Sequence, residues 1–108
     1  MIRGELWTLA GGVYASKPRP ALVIQDDAFA ATESVTVLPL TSHLLDAPLL
    51  RVRISATELS GLDRDSDVMV DKLTTVRRAN VSGRVGRLST EQLGDVERAV
   101  MAFLGFAR

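Results

Sequence analysis

The chain has 108 residues, of which 46% are hydrophobic and 24% charged, and its formal net charge is zero. This length suits one domain, expected over residues 1–108, and the neutral charge argues against a protein that coats nucleic acid through bulk charge. No apolar run approaches the roughly 20 residues of a membrane span, and the absence of cysteine together with a single histidine, His43, argues against a structural metal site. With no signal-peptide pattern at MIRGEL, we expect a cytoplasmic protein that uses no metal or cofactor.

Short apolar and alternating segments predict strands along most of the chain. The third of these strands is expected to end at Pro39, because proline donates no hydrogen bond to a sheet. In the segment RVRI at 51–54, strict alternation puts both arginines on one face. The predicted strands cover residues 2–9, 21–25, 34–38, 51–54, 68–70, 73–76 and 81–88.

The end of the chain predicts a single helix. Ser89 and Gln92 fit a capping box, and Gly105 is a plausible stop. Apolar residues then repeat at helical spacing and form one apolar stripe, made of Leu93, Val96, Val100, Phe103 and Leu104. Short strands followed by one amphipathic helix predict a mostly β domain, a compact antiparallel barrel or curved sheet covered by the C-terminal helix.

A basic run lies between Arg77 and Arg87, with two further arginines and no acid among them. Such a run is typical of a surface that docks one polyanionic segment, and equally of arginines scattered over strand faces.

Lys17 and Arg19 alternate with two prolines in the segment ASKPRPALVIQ at 15–25. Each proline fixes its own φ and keeps the preceding residue extended, so both cations stand on a stiff segment that enters an apolar strand. Two interpretations are open: a solvated turn, or an arginine aimed at an anionic ligand from a rigid scaffold.

Two other segments carry polar groups that a β core does not require. Thr41, Ser42 and His43 follow Pro39 directly, and Asp71 interrupts an apolar strand pattern beside Lys72. The hydroxyls also suit a turn, the imidazole an exposed loop, and the carboxylate an ion pair. Together, arginine, hydroxyl and carboxylate match metal-free RNA cleavage, in which a base activates the ribose 2′-hydroxyl and a cation stabilises the phosphoryl oxygens.

Five motifs occur in a recognisable order: IRGELW at 2–7, RPALVI at 19–24, PLTS at 39–42, GL with SDVMVDK at 61–72, and GRLS at 86–89. In this order they resemble the MazF/PemK (Kid) family of toxin endoribonucleases from type II toxin–antitoxin systems. The resemblance implies an SH3-like antiparallel barrel of the MazF/PemK–CcdB type, usually a homodimer. It also implies metal-independent, sequence-selective cleavage of single-stranded RNA, which leaves a 2′,3′-cyclic phosphate and a 5′-hydroxyl. The implied partner is a MazE-like antitoxin whose acidic C-terminal tail covers the RNA groove.

The resemblance also implies roles for particular residues. Arg19 corresponds to the arginine that holds the scissile phosphate, Thr41 to the threonine beside it, and Asp71 to the acidic position that serves as base. The expected substrate-binding residues are Lys17, Ser42 and His43. The identity of the base stays open between Asp71 and His43, because imidazole can also exchange protons near neutral pH.

The chain departs from the family pattern at three places. Met69 stands where Kid-like members have a second catalytic arginine, Lys72 stands where glutamine is common, and the loop 11–16, expected to gate substrate, is short. A binding module without activity and a gyrase-poisoning toxin of the CcdB type are therefore the alternatives. The second is disfavoured because the only tryptophan, Trp7, is far from the C-terminus. Residues 44–50 and the helix are expected to contribute to a dimer interface.

Overall fold

A computed structural model describes residues 1–12 and 15–107, so the predicted gating loop lies partly outside the described residues. The described chain forms a series of short strands followed by a helix, with single turns of 3₁₀ helix at Asp27–Phe29, Val70–Lys72 and Arg78–Asn80. None of its helices is long and apolar enough to cross a membrane. The elements are β1 (Glu5–Leu9), β2 (Arg19–Val23), β3 (Ser34–Thr41), β4 (Arg51–Ile54), β5 (Ser66–Met69), β6 (Thr74–Arg77), β7 (Val81–Arg87) and α1 (Thr90–Phe103).

The strands form one sheet in the order β4-β5-β3-β2-β1-β7, and β6 pairs with β3 off this path. Every pairing is antiparallel. β3 is the centre of the fold, since it pairs with β2, β5 and β6. The predicted fold class, a mostly antiparallel β domain with a C-terminal helix, is confirmed, as a barrel-like sheet that does not close.

The expectation that the third strand ends at Pro39 is wrong, because β3 continues to Thr41. On one side Pro39 is paired with Ala21 of β2. On the other side β6 pairs with β3 only as far as Val37, and β5 begins to pair at Leu40. Pro39 therefore lies where β3 changes partners, and its missing N–H interrupts neither of these two ladders.

Several other predicted boundaries shift by one to three residues. The first strand begins at Glu5 rather than residue 2, because Gly4 turns the chain at a φ of +92°. The second begins at Arg19, two residues earlier than predicted. The strand predicted over 68–70 covers Ser66–Met69, and Val70 belongs to the following 3₁₀ turn.

Two apolar clusters hold the sheet. The larger lies under α1 and contains Leu6, Leu22, Leu38, Leu40, Ile54, Leu62, Val68, Leu88 and Val96. The second lies on the opposite face of β2 and β3 and contains Leu9, Ala21, Val23, Val35, Val37 and Val76. Because β2 and β3 contribute to both clusters, each contains a continuously apolar run, at 20–23 and 37–40.

The helix begins as predicted. Ser89 is the N-cap, its Oγ accepting the Gln92 N–H at 3.1 Å while Gln92 Oε1 accepts the Ser89 N–H at 2.9 Å. Leu93, Val96 and Val100 pack against the larger cluster. At the end of the stripe, Phe103 and Leu104 are 46% and 43% exposed, so they do not belong to this cluster.

The basic run between Arg77 and Arg87 is divided among β6, the 3₁₀ turn Arg78–Asn80 and β7. Arg84 Nε lies 2.6 Å from Glu5 Oε2 on the neighbouring strand, and Arg78 Nε donates to the Thr32 carbonyl. Burial raises the pKa of Glu5, but hydrogen bonds from the Ile2 amide, Arg84 and Trp7 outweigh this and hold the pKa below its ordinary value.

Candidate functional site

Arg19 is the first residue of β2 and is partly buried. Pro18 precedes Arg19, and Pro20 follows it within the strand. Pro20 is paired with Thr8 of β1. The neighbouring pair is Leu9 with Arg19, so the backbone of Arg19 is fixed both by the sheet and by the two rings. The interpretation of ASKPRPALVIQ as a rigid arginine at the mouth of an apolar strand agrees with this placement.

Thr41 is the last residue of β3 and is paired with Asp67 of β5. Its Oγ1 accepts the backbone N–H of His43 at 3.1 Å, which closes the turn that leaves the strand. The interpretation of this hydroxyl as a turn residue is therefore correct. The hydrogen bond from His43 uses only one lone pair of Thr41 Oγ1. The hydroxyl proton is still available to donate to a ligand.

Two small recesses meet at Arg19 and Leu40. One, of about 200 Å³, is lined by Ala15, Arg19, Leu40, Thr41 and Met69. The other, of about 230 Å³, is lined by Pro18, Arg19, Pro20, Leu40, Ser42, Leu62, Asp63, Arg64 and Ser66. The structure thus brings the arginine together with both predicted hydroxyl residues, one in each recess.

Asp71 lies in the 3₁₀ turn after β5 and lines neither recess. Its side chain is 24% exposed, and Oδ2 is 3.9 Å from Lys72 Nζ. Oδ1 is buried and has no hydrogen-bond partner among the residues described. The ion-pair interpretation therefore accounts for one carboxylate oxygen and leaves the other unused. Lys17 and His43 are exposed and also line neither recess.

A charged pair that no sequence motif predicted lies behind this site. Asp67 is fully buried, and its Oδ1 accepts Arg53 Nε at 2.9 Å while Oδ2 accepts the backbone N–H of Leu45 at 2.9 Å. Burial raises the pKa of Asp67, but the bonds from Arg53 and Leu45 outweigh burial and hold the pKa below its ordinary value. The carboxylate thus fastens the loop that carries Ser42 and His43 to the sheet. In the sequence, Asp67 stands just before the strand predicted over 68–70, and nothing there marks it as buried.

The wall of the larger recess is held by close backbone packing. Ser60 is buried, and its Oγ donates to the Ser55 carbonyl while accepting the Thr57 N–H. A Cβ on Gly86 of β7 would stand 2.2 Å from the Ser60 carbonyl oxygen, so only glycine lets the two chains approach this closely. The close packing of Ser60 against Gly86 therefore holds the start of the loop 61–66 in place.

A small antiparallel sheet with one C-terminal helix, and with an arginine and two hydroxyl residues in adjoining recesses, defines a β protein equipped to bind an anionic ligand. The family of PemK-like, MazF-like toxins of type II toxin–antitoxin systems matches residues 2–104. The chain belongs to this family.

Individual relatives agree with the assignment. The chain is 51% identical over 108 residues to a probable endoribonuclease MazF of Mycolicibacterium smegmatis, covering 99% of each chain. Its fold is similar to that of MazE-MazF from Deinococcus radiodurans, with a TM-score of 0.79 at 23% identity, over 99% of this chain and 98% of that one. It is also similar to an endoribonuclease in complex with its cognate antitoxin from a mycobacterial species, with a TM-score of 0.81 at 17% identity, over 100% and 98% of the chains.

Proposed function

We propose that this protein is an endoribonuclease toxin that cleaves single-stranded RNA at short sequence motifs without a metal ion. The observation that carries the proposal is the position of Arg19, which is fixed at the point where the Thr41 and Ser42 recesses meet. The likeness of the whole chain to a probable MazF endoribonuclease supports the same reaction.

In the proposed reaction the ribose 2′-oxygen attacks the adjacent phosphorus, and the bond from phosphorus to the 5′-oxygen breaks. The products are a 2′,3′-cyclic phosphate and a 5′-hydroxyl. The Arg19 guanidinium donates two parallel hydrogen bonds to the phosphoryl oxygens, which gain charge in the transition state. The Thr41 hydroxyl donates to the same group, and Ser42 and Lys17 bind the flanking RNA.

A base must accept the 2′-hydroxyl proton, and two groups suit this role. Asp71 offers a carboxylate oxygen that no residue of the described chain occupies. His43 stands two residues beyond Thr41, and its backbone is bonded to the Thr41 hydroxyl. The proton for the leaving 5′-oxygen comes from Arg19 or from whichever of these two groups is not the base.

The test uses a long RNA in the presence of EDTA, with mapping of the new ends. The wild-type protein should cut at a recurring motif and leave 5′-hydroxyl ends, and Arg19→Ala should abolish cutting. Arg77→Ala removes the same charge at the far end of β6 and should cut normally. Cutting by a folded Arg19→Ala protein at the wild-type rate would refute the assignment.

The proposal includes a MazE-like antitoxin whose acidic C-terminal tail occupies the recesses. Arg19 and Arg64 line them and would attract carboxylates as they attract phosphates. A synthetic acidic peptide from such a tail should compete with RNA for the wild-type protein and not for Arg19→Ala. Equal competition in both proteins would place the tail elsewhere.

The proposal also includes a homodimer. Exposed leucines in the loop after Thr41, together with apolar residues at the end of α1, leave surface that a partner would cover. Leu49 is 83% exposed. Sedimentation should show a dimer for the wild type and a smaller species for Leu49→Asp.

A further inference from the structure

Arg51, the first residue of β4, has no role in the site described so far. It is partly buried, and its Nε–H is buried without a hydrogen-bond partner among the described residues. A buried donor without an acceptor costs free energy, and such groups are uncommon in folded proteins. None of the described residues therefore satisfies this donor.

The register of the strands shows which face Arg51 occupies. Leu40, Val68 and Val52 form one cross-strand row, and this row packs in the larger apolar cluster. Residues one position away along each strand point to the opposite face. Arg51, paired with Met69, therefore lies on the face away from that cluster.

Thr41 lies on this same face. It is paired with Asp67, which in turn is paired with Arg53, and the ion pair between Asp67 and Arg53 shows that their side chains meet there. Met69 lines the recess that holds Arg19 and Thr41. Adjacent strands are about 4.8 Å apart, so β4 runs about 10 Å from β3, beyond Met69.

Asp67 does not account for Arg51. Its two carboxylate oxygens lie 2.9 Å and 3.5 Å from Arg53 nitrogens, and the Leu45 amide holds the second oxygen as well. The positive charge of Arg51 favours the ionised form of Asp67 from a distance. The guanidinium of Arg51 is therefore not tied to Asp67, and because the residue is only partly buried its charge is within reach of a ligand on this face.

We propose that Arg51 forms a second phosphate subsite, which holds the RNA backbone phosphate next to the one bound by Arg19. The proposal rests on the RNA-cleaving function proposed above, which supplies a ligand with regularly spaced phosphates. It also bears on Met69, which stands where the family resemblance leads one to expect an arginine. Arg51 itself lines neither recess, but it is the cross-strand neighbour of Met69, which does, and it would bring a cation to that part of the face from β4.

The experiment measures equilibrium binding of a short RNA made uncleavable by 2′-O-methyl groups, over a series of salt concentrations. For single strands each phosphate contact contributes about 0.7 to the slope of log K against log salt concentration. Arg51→Met should reduce the slope by about 0.7, and Arg51→Lys should keep it, since the point charge is retained. Arg77→Met is the matched control and should leave the slope unchanged, since the length of β3 places Arg77 about 20 Å from Thr41.

Thermal unfolding of each variant shows whether it is folded, and steady-state cleavage gives a second readout. Arg51→Met should raise KM more than it lowers kcat, because it removes binding shared by substrate and transition state. An unchanged salt slope in folded Arg51→Met would overturn the subsite, even if affinity fell at every salt concentration. Failure of the wild type to cut RNA would instead count against the proposed function, and the binding slopes would still test Arg51.

Discussion

The buried carboxylate of Asp67 offers a sharp test of how the site loop is held. Asn at this position has nearly the same shape but no charge, and one of its two terminal groups donates where Asp67 only accepts. In Asp67→Asn the Leu45 N–H can keep its acceptor, whereas Arg53 then faces an NH₂ group. We therefore expect a folded protein with a weaker attachment of the loop that carries Ser42 and His43.

The expected loss of stability in Asp67→Asn follows from how exposed the Asp67 and Arg53 side chains are. The Asp67 side chain is 1% exposed, so a lost partner there is not replaced by water, whereas the Arg53 side chain is 49% exposed and rehydrates readily. Hydrogen bonds to charged groups contribute about 1.5–3 kcal/mol, and a half-exposed ion pair contributes under about 1 kcal/mol. With the Leu45 bond weakened and the Arg53 pair lost, Asp67→Asn should lower the free energy of unfolding by about 2 kcal/mol.

The effect depends on pH in a defined direction. Because the pKa of Asp67 is lower in the folded protein than in the unfolded chain, the carboxylate stabilises the fold above the unfolded value of about 3.9. This contribution is lost as the pH falls from that value through the folded pKa. The difference in stability between wild type and Asp67→Asn should therefore be constant near neutral pH and shrink in acid.

Urea unfolding at neutral and acidic pH measures both quantities. At neutral pH the variant should also melt about 10 °C lower, from a loss of about 2 kcal/mol in a domain of this size. Asp95→Asn is the matched control: Asp95 pairs with Arg98 on the surface of α1, where both side chains are largely exposed, and it should cost under about 0.5 kcal/mol. A difference between wild type and Asp67→Asn that persists unchanged in acid would refute the reasoning.

Three further predictions concern catalysis, packing and the helix. If Asp71 is the base, Asp71→Asn should abolish RNA cleavage while His43→Ala retains it, and the reverse result in a cleavage assay would assign the base to His43. Gly94→Ala in α1 should raise the unfolding free energy by up to about 1 kcal/mol, since its new Cβ meets only the two terminal nitrogens of the flexible Arg98 side chain, at 3.5 and 3.9 Å. By contrast, Gly86→Ala should fail to fold or melt far lower. Ser89→Ala should cost about 1 kcal/mol in urea unfolding, and an unchanged midpoint would show that the capping box contributes nothing.

Local rules predicted most of the secondary structure. The alternation of RVRI placed β4 at its observed bounds, and the capping pair of Ser89 and Gln92 placed the start of α1. The rule failed at Pro39, because a proline ends a strand only where the missing N–H is needed. Which ladder each residue of β3 joins depends on three partner strands distant in sequence, and that information is not local.

Local sequence motifs likewise predicted some residues of the candidate site and missed others. Arg19, Thr41 and Ser42 were predicted from motifs, and the structure places all three around adjoining recesses. Asp67 and Arg51 were missed, because an aspartate and an arginine in short strands carry no signature until the register pairs them with particular neighbours. The same alternation that predicted β4 had put Arg51 and Arg53 on one face, but it did not show what that face adjoins.

The register also changes the meaning of the departure at Met69. Judged along the chain, a missing arginine two residues before Asp71 favours a weakened or inactive enzyme. Judged across the sheet, the position opposite Met69 is an arginine whose buried Nε–H lacks an acceptor among the described residues. The charge at a site depends on which side chains share a face of the sheet. An arginine on β4 can therefore supply the charge that an arginine on β5 would supply, with no change in the backbone. If so, Arg51→Met should be rescued in part by Met69→Arg in the double variant, measured as recovery of the salt slope for RNA binding. A double variant that binds no better than Arg51→Met alone would show that the two positions are not interchangeable.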